Sequence, residues 1–401
     1  MMQKQLGMTI LGRSNWRDHT KPFGIKQRDR LHHLYLIGQT GTGKSTLLET
    51  LIVQDIVAER GFAFLDPHGD TVELALSRTS ERHRERVVYL DAPSPTSDVG
   101  FNPLESVPQE QRALAASGII EAFKGVWGQW WGPRLEHIFR NAILTLLDQP
   151  QATLADIPRL FSDEGFRKAA VSRVIHAPVR EFWTEEFSGL RGASRAEALG
   201  PLRNKLGAFL SQPTLHRLMT RERSSFDLRQ LMDDGGVLLV NLAKGRMGSD
   251  ASSLLGALLV TRISLAALSR ADTPESERRN FFVYLDEFQN FTTLSVATML
   301  SELRKYHVGL TLAHQFVSQV APEVRDAILG NAGTMISFRV GPLDAALLKR
   351  YFAPEITELD LLYLPNYSVY LRLMVDGVVS SPFSADTLPP ATIGGFHGKH
   401  S

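Results

Sequence analysis

Gly38-Gln39-Thr40-Gly41-Thr42-Gly43-Lys44-Ser45 fills every fixed position of the phosphate-binding pattern GxxxxGK[ST]. It directly follows the apolar run Leu34-Tyr35-Leu36-Ile37 and leads into Thr46-Leu47-Leu48-Glu49-Thr50-Leu51. A strand that ends in a glycine-rich loop presents open backbone N–H groups, and the helix behind it turns its positive end to the same point. This context predicts a cradle for a nucleoside triphosphate, formed by Gly38, Thr40, Gly41, Thr42, Gly43, Lys44, Ser45 and Thr46.

Outward from that loop, the chain divides into blocks. Leu34–Ile37, Phe62–Leu65 and Val87–Leu90 read as short buried strands, with a helix from the loop to about Glu59. Strands alternating with helices imply a mostly parallel sheet covered on both faces. From 104 to 225 the pattern is helical: in Pro133–Leu147 the residues Leu135, Ile138, Phe139, Ala142, Ile143, Leu146 and Leu147 repeat at intervals of three and four. The α/β pattern returns over 226–379, with strands at 236–242, 281–285, 308–313, 334–338 and 369–375. The fold class is therefore α/β, with 34–103 and 226–379 as two parts of one domain and 104–225 as an all-helical insertion. Residues 1–33 read as a basic, solvated N-terminal extension and 380–401, rich in Pro, Gly and Ser, as an extended tail.

Composition narrows the class without choosing a partner. A chain of 401 residues with 43% hydrophobic and 22% charged residues is that of an ordinary globular protein. The net charge of +1 announces no polyanion, although Lys4, Arg13, Arg17, Lys21, Lys26, Arg28 and Arg30 face only Asp18 and Asp29 in the first 35 residues. That excess reads as a solvated extension, a nucleic-acid contact or a subunit contact. With no cysteine, disulfides and thiolate catalysis are excluded. No secretory apolar core and no uninterrupted apolar run of 18 residues occurs, so no membrane span is expected; the expected location is cytoplasmic, or peripheral at a membrane complex. Trp127, Trp130, Trp131 and Trp183 cluster in the helical block, as core packing or as a base-stacking platform.

Hydrolysis of a bound triphosphate needs a held phosphate chain, a metal ion, an aimed water and neutralised transition-state charge. Lys44 suits the β- and γ-phosphates and the Ser45 hydroxyl suits Mg²⁺. Phe281-Phe282-Val283-Tyr284-Leu285 ends in Asp286-Glu287, which sets two carboxylates at the carboxyl edge of the sheet. Asp286 suits the Mg²⁺ shell, and Glu287 the polarisation of water. Gln315 closes a second apolar strand, where its amide can bond the γ-phosphate or the water. Arg304, 18 residues after Asp286, reads as a helix-end cation or as an arginine finger into a neighbouring site. Asp66 and His68 read as outer groups or as shapers of a turn. Lys244-Gly245-Arg246-Met247-Gly248 reads as a DNA-channel loop or as a polar turn.

With these residues in place, the sequence resembles the TraG/TraD-type coupling proteins of conjugative type IV secretion, within the FtsK–HerA ring ATPases. The resemblance rests on Phe23-Gly24-Ile25, Asp29-Arg30, His33, the phosphate loop, Asp66-Pro67-His68-Gly69-Asp70, Asn102-Pro103-Leu104 and Trp131-Gly132-Pro133-Arg134-Leu135. It extends through Leu285–Phe291, Arg304-Lys305, Ala313-His314-Gln315, Gly330–Thr334 and Phe338-Arg339. It implies a RecA-like P-loop motor domain with an inserted all-helical domain, a homo-hexameric ring, ATP and Mg²⁺ between subunits, and DNA in the channel. It also implies that Gln315 is the polar sensor and Arg304 the trans-acting arginine. Members of that family begin with transmembrane helices, which this sequence lacks, so the expectation is a soluble relative or a motor tethered by another protein. The functional expectation is an ATP-driven DNA translocase in conjugative-type transfer or DNA processing. A protein-pumping ATPase and a nucleotide-gated adaptor for a nuclease or relaxase are the alternatives, and a secretion channel is a further candidate partner.

Overall fold

The apolar runs read from the sequence form the middle of one large sheet. The computed structural model describes residues 7–15, 20–128 and 131–389. Its strands are β1 (Met8–Ser14), β2 (Pro22–Lys26), β3 (Leu34–Ile37), β4 (Gly61–Asp66), β5 (Val87–Asp91), β6 (Val237–Asn241) and β7 (Phe281–Leu285), followed by β8 (Val308–His314), β9 (Thr334–Ser337), β10 (Ser368–Arg372), the short pair β11 (Met374–Val375) and β12 (Val378–Val379), and β13 (Phe383–Thr387). Eleven of them form one sheet in the order β2-β1-β13-β10-β9-β3-β8-β7-β4-β6-β5. The ladders from β9 through β3, β8, β7 and β4 to β6 are all parallel. Those from β9 to β10, β13, β1 and β2 are antiparallel. The parallel strands β3, β4, β6, β7 and β8 are buried along their whole length, as strands covered on both faces must be.

Contacts divide the chain into two units. One comprises Met1–Tyr89, Leu228–Asn241 and Ala266–Ser401; the other comprises Leu90–Asp227 and Leu242–Leu265. The first carries the sheet, apart from the end of β5. Its core includes Leu34, Leu36, Leu47, Leu51, Phe62, Phe64, Tyr284 and Ile336. The second is helical, with long helices at Arg112–Trp127, Pro133–Leu147 and Gly192–Leu210. The helix Ser249–Ser269, which the sequence pattern assigned to the 226–379 part, groups with the helical unit as far as Leu265. There Thr261 lies against Gly118, where the absent side chain admits it: a Cβ on Gly118 would sit 2.4 Å from Thr261 Cγ2. By length and composition this helix could cross a membrane, with mean hydropathy 1.7, yet 78% of that window is buried within the protein.

Two readings need correction, and the described tryptophans follow the core-packing alternative. The extension 1–33 is not merely solvated, since β1 and β2 complete the sheet and bury Thr9, Leu11 and Ile25. Three of its cations meet partners inside the chain: Lys26 and Arg28 pair with Asp376, and Arg30 is buried against Asp55; Lys4 and Arg17 lie outside the described residues. The tail from Ser380 is not simply extended, since β13 inserts between β1 and β10; residues 390–401 lie outside the described residues. These edge strands carry weak apolar alternation, and their register is set by residues far away in sequence, such as Gly12 opposite Thr387. Of the tryptophans, Trp127 packs on Phe123 at 5.3 Å, and buried Trp183 donates its Nε1–H to Thr145 Oγ1 at 2.7 Å. Trp131 meets Phe139 edge-on at 5.6 Å. Trp130 lies outside the described residues.

One buried histidine ties the sheet to the helix Leu294–Glu302. His33 Nε2–H donates to Leu300 O at 3.1 Å, while Nδ1 accepts from Leu310 N at 3.0 Å. Protonation would set N–H against N–H. Burial lowers the His33 pKa to about 4. A histidine depressed from 6.5 contributes stability that is present above pH 6.5 and is lost as pH falls toward 4. We expect His33 to account for a loss of about 2 kcal/mol between pH 7.5 and pH 5. Urea unfolding of the wild type and His33→Gln at both pH values measures it, and equal pH sensitivity in the two proteins would contradict the assignment.

Candidate functional site

Parallel register brings the polar ends of four strands together. Ile37 stands opposite His314, Leu285 opposite Leu312, and Leu65 opposite Leu285. The phosphate loop, Gln315, Asp286-Glu287 and Asp66 therefore all emerge at the carboxyl edge, where ligands bind in open α/β sheets. The loop needs its glycines. Gly41 has φ +77°, and Gly43 has φ +119° with Tyr367 Cδ1 only 2.9 Å from where a Cβ would stand. Gly43 opens the helix Lys44–Val57, and no side chain caps that end.

Lys44 is folded back onto its own loop, its ammonium donating to Gly38 O at 2.6 Å and Gln39 O at 3.1 Å. Burial lowers its pKa, against the attraction of Glu287 and Asp286. These carbonyls hold the ammonium where phosphate oxygens can later take it.

Strand β8, between β3 and β7, supplies the bridge between the loop and the acids. Thr40 Oγ1 donates to Gln315 Oε1 at 3.0 Å, and Gln315 Nε2 donates to Glu287 Oε1 at 2.9 Å. Gln289 Nε2 donates to the other oxygen, Oε2, at 2.6 Å. Glu287 itself has φ +45° and ψ +47°, a left-handed backbone that turns the chain sharply after β7. One hydrogen-bonded chain thus runs from the loop through Gln315 to Glu287 and Gln289.

Asp286 is buried, and its Oδ1 accepts from Glu287 N at 2.9 Å. Among the described residues nothing bonds its second oxygen. Burial, then the charges of Glu287 and Asp66, raise its pKa to about 7 against the pull of Lys44. A desolvated carboxyl with an open oxygen, facing two further carboxylates, lacks positive charge. The exposed Ser45 hydroxyl begins the helix nearby in sequence. Hard oxygen donors of this kind fit Mg²⁺, which would supply positive charge there when bound. Among the described residues no group of three or more His, Asp or Glu side chains forms a ready-made cage.

Asp66 shapes a turn. Its oxygens accept from the N–H groups of His68, Thr71 and Val72 at 2.8, 3.0 and 3.1 Å. Arg304 stands apart from this edge. It is exposed in the turn Leu303–Tyr306, before the first residue of β8; its carbonyl accepts from His307 N–H at 3.0 Å, while its guanidinium has no hydrogen-bond or ion-pair partner among the described residues. Six residue steps along β8 span about 20 Å, so Arg304 lies at the far edge from its own phosphate loop. Lys244-Gly245-Arg246-Met247, read as a loop, is one helical turn, exposed around Gly245 and Arg246.

Sequence reasoning missed three contributors. Gln289 lies within the motif stretch but was given no role. Tyr367 donates its N–H to Thr42 O at 2.8 Å, and Arg339 reaches Gln39 Oε1 at 3.4 Å. A lone Tyr or Arg some 300 residues from the loop carries no spacing signal; only the placement of β9 and β10 brings them in.

Comparisons with known proteins agree with this fold. No curated protein sequence matches the chain. Among solved structures, the bacterial conjugative coupling protein TrwBΔN70 in its unbound monoclinic form aligns with TM-score 0.67 at 16% identity, covering 94% of this chain and 88% of that one. TrwB in complex with ADP and Mg²⁺ gives 0.66 at 16%, covering 91% and 87%. VirB4 of Thermoanaerobacter pseudethanolicus gives 0.63 at 15%, covering 94% and 95%. At such identities the likeness is one of fold. The family model described as the type IV secretion-system coupling protein DNA-binding domain matches residues 22–352, so the chain belongs to that family of coupling proteins.

Proposed function

We propose that this chain is an ATP-hydrolysing motor that moves DNA, working as a homo-hexameric ring whose sites are completed by neighbouring subunits. The observation that carries the reading is the continuous chain Thr40–Gln315–Glu287–Gln289 beside Lys44 and Asp286. A pure nucleotide-binding module needs the cradle but not a buried carboxylate coupled to the loop through an amide.

ATP would draw the Lys44 ammonium from its carbonyls onto the β- and γ-phosphates. Gly38, Thr40, Gly41, Thr42, Gly43 and Thr46 line the cradle, and Ser45 and Asp286 are the residues that would hold Mg²⁺. Gln315 is placed to exchange its bond with Thr40 for one to the γ-phosphate, so its amide reports the nucleotide state to Glu287. Glu287 takes a proton from the attacking water, and Gln289 holds its carboxylate in register. The position of Arg304 at the opposite edge suits a guanidinium that serves a neighbouring subunit's site. ATP turnover with and without single-stranded and duplex DNA, alongside oligomeric mass, tests the reading. DNA-stimulated turnover in a ring of about six subunits is expected. Turnover that ignores DNA but rises with a protein partner would favour a protein pump.

Arg304 gives a second check. We expect Arg304→Ala to lower turnover by about 10³-fold or more with ATP affinity kept, and partial recovery when it is mixed with Lys44→Ala subunits, because each mutant supplies what the other's site lacks. Absence of recovery in mixed rings would leave Arg304 a structural residue.

A further inference from the structure

The helical unit contains a second concentration of unneutralised charge. A cavity of about 210 Å³ opens between the end of the helix Ile157–Ser162 and the helix Gly192–Leu210, lined by Phe161, Ser162, Gly192, Arg195, Leu199 and Arg203. Arg195 and Arg203 stand eight residues apart on one helix face, about 12 Å along the axis. At the back is buried Phe187, approached by two guanidinium groups: Arg195 at 4.5 Å and Arg167 at 5.2 Å from the ring centre.

None of these arginines is ion-paired or hydrogen-bonded to a carboxylate among the described residues, although Glu164 and Asp163 attract Arg167 from nearby. Arg195 donates to Phe161 O and Arg167 to Leu160 O, both at 2.9 Å and both to uncharged carbonyls. Arg203 is exposed and makes no hydrogen bond, and Arg191, one turn before Arg195, is likewise free. The nearest acids are committed elsewhere: Glu164 pairs with Lys168 at 2.8 Å, and Asp163 caps Phe166 N at 2.9 Å. Burial, then the Arg195 charge, lower the Arg167 pKa, and the attraction of Glu164 and Asp163 only partly offsets them. Holding unpaired guanidinium groups around a concavity is unfavourable without an anion, and their fork geometry matches phosphate.

We propose that this cavity is a phosphate-binding site through which the helical unit engages the backbone of a DNA strand. The inference builds on the DNA-motor reading, and the matched DNA-binding family spans the cavity's residues. The contacts are cationic and aimed at phosphate, so they grip without reading sequence. An acidic peptide is the competing occupant.

The test uses the full chain and Arg203→Ala, a residue outside the nucleotide site, with labelled single-stranded and duplex oligonucleotides and poly-glutamate as probes. Basal ATP turnover without DNA should be unchanged, which verifies folding. Arg203→Ala should weaken DNA binding several-fold, equally across sequences, and flatten the slope of log affinity against log salt by about 0.7–0.9. Arg191→Ala/Arg203→Ala should about double the change in slope. An unchanged DNA slope, or weakened binding of poly-glutamate alone, would overturn the site. If the wild type binds and is stimulated by DNA while Arg203→Ala keeps the full slope, this site fails and the motor reading stands. If the wild type binds no DNA, both fail.

Discussion

Glu287→Gln is expected to lower ATP turnover by about 10²–10⁴-fold while ATP binding stays within a few-fold of wild type. The size follows from placement. Glu287 is 6% exposed, follows the buried strand β7, and is fixed at both oxygens by the amides of Gln315 and Gln289. Gln is nearly isosteric and preserves the turn, but it cannot take a proton from water. The cradle of Gly38–Ser45 is untouched, so a fluorescent ATP analogue should bind normally and remain unhydrolysed. Loss of binding in step with turnover would make Glu287 a structural residue, and full turnover would remove it from the chemistry.

The second large effect concerns stability. Asp55 is fully buried and accepts from both Arg30 nitrogens at 2.8 Å, from Arg60 at 2.9 Å and from the Tyr284 hydroxyl at 2.5 Å. Arg30 is equally buried and lies 3.6 Å above the Phe282 ring. Removing one member strands the opposite charge, so Asp55→Ala should cost about 3–5 kcal/mol, read as a lower urea midpoint. Arg30→Met/Asp55→Leu should recover most of that loss, because the stranded charge goes as well. A double variant no better than Asp55→Ala would show that the pair acts through geometry rather than charge. Burial pushes the Asp55 pKa up, but Arg30, Arg60 and Tyr284 more than reverse it, and the net direction is down. Its contribution is therefore full above the unfolded carboxylate pKa, near 3.9, and is lost as pH falls through the lower folded value.

What could be read in advance follows the strength of local signals. The phosphate loop, the acids after β7 and the Gln after β8 each join a saturated apolar strand to an unusual polar end, and strand periodicity placed them on one edge. The resemblance added expectations that periodicity could not supply, namely a ring and a trans-acting Arg304, which stand as proposals. The antiparallel strands β1, β2 and β13 were misread because half-buried antiparallel strands alternate weakly. Part of the N-terminal basic surplus, Lys26, Arg28 and Arg30, is met by Asp376 and Asp55, far off in sequence. Gln289, Tyr367 and Arg339 were missed for the same reason: their contacts exist only once the sheet order is set.

The central claim is that the chain converts ATP hydrolysis into movement along DNA. The most direct measurement is ATP-dependent displacement of streptavidin from biotin-ended single-stranded and duplex DNA, comparing wild type with Glu287→Gln. The account predicts displacement by the wild type that needs ATP, on at least one of the two substrates, and none by Glu287→Gln. Wild-type protein that hydrolyses ATP on DNA yet never clears the block would contradict it.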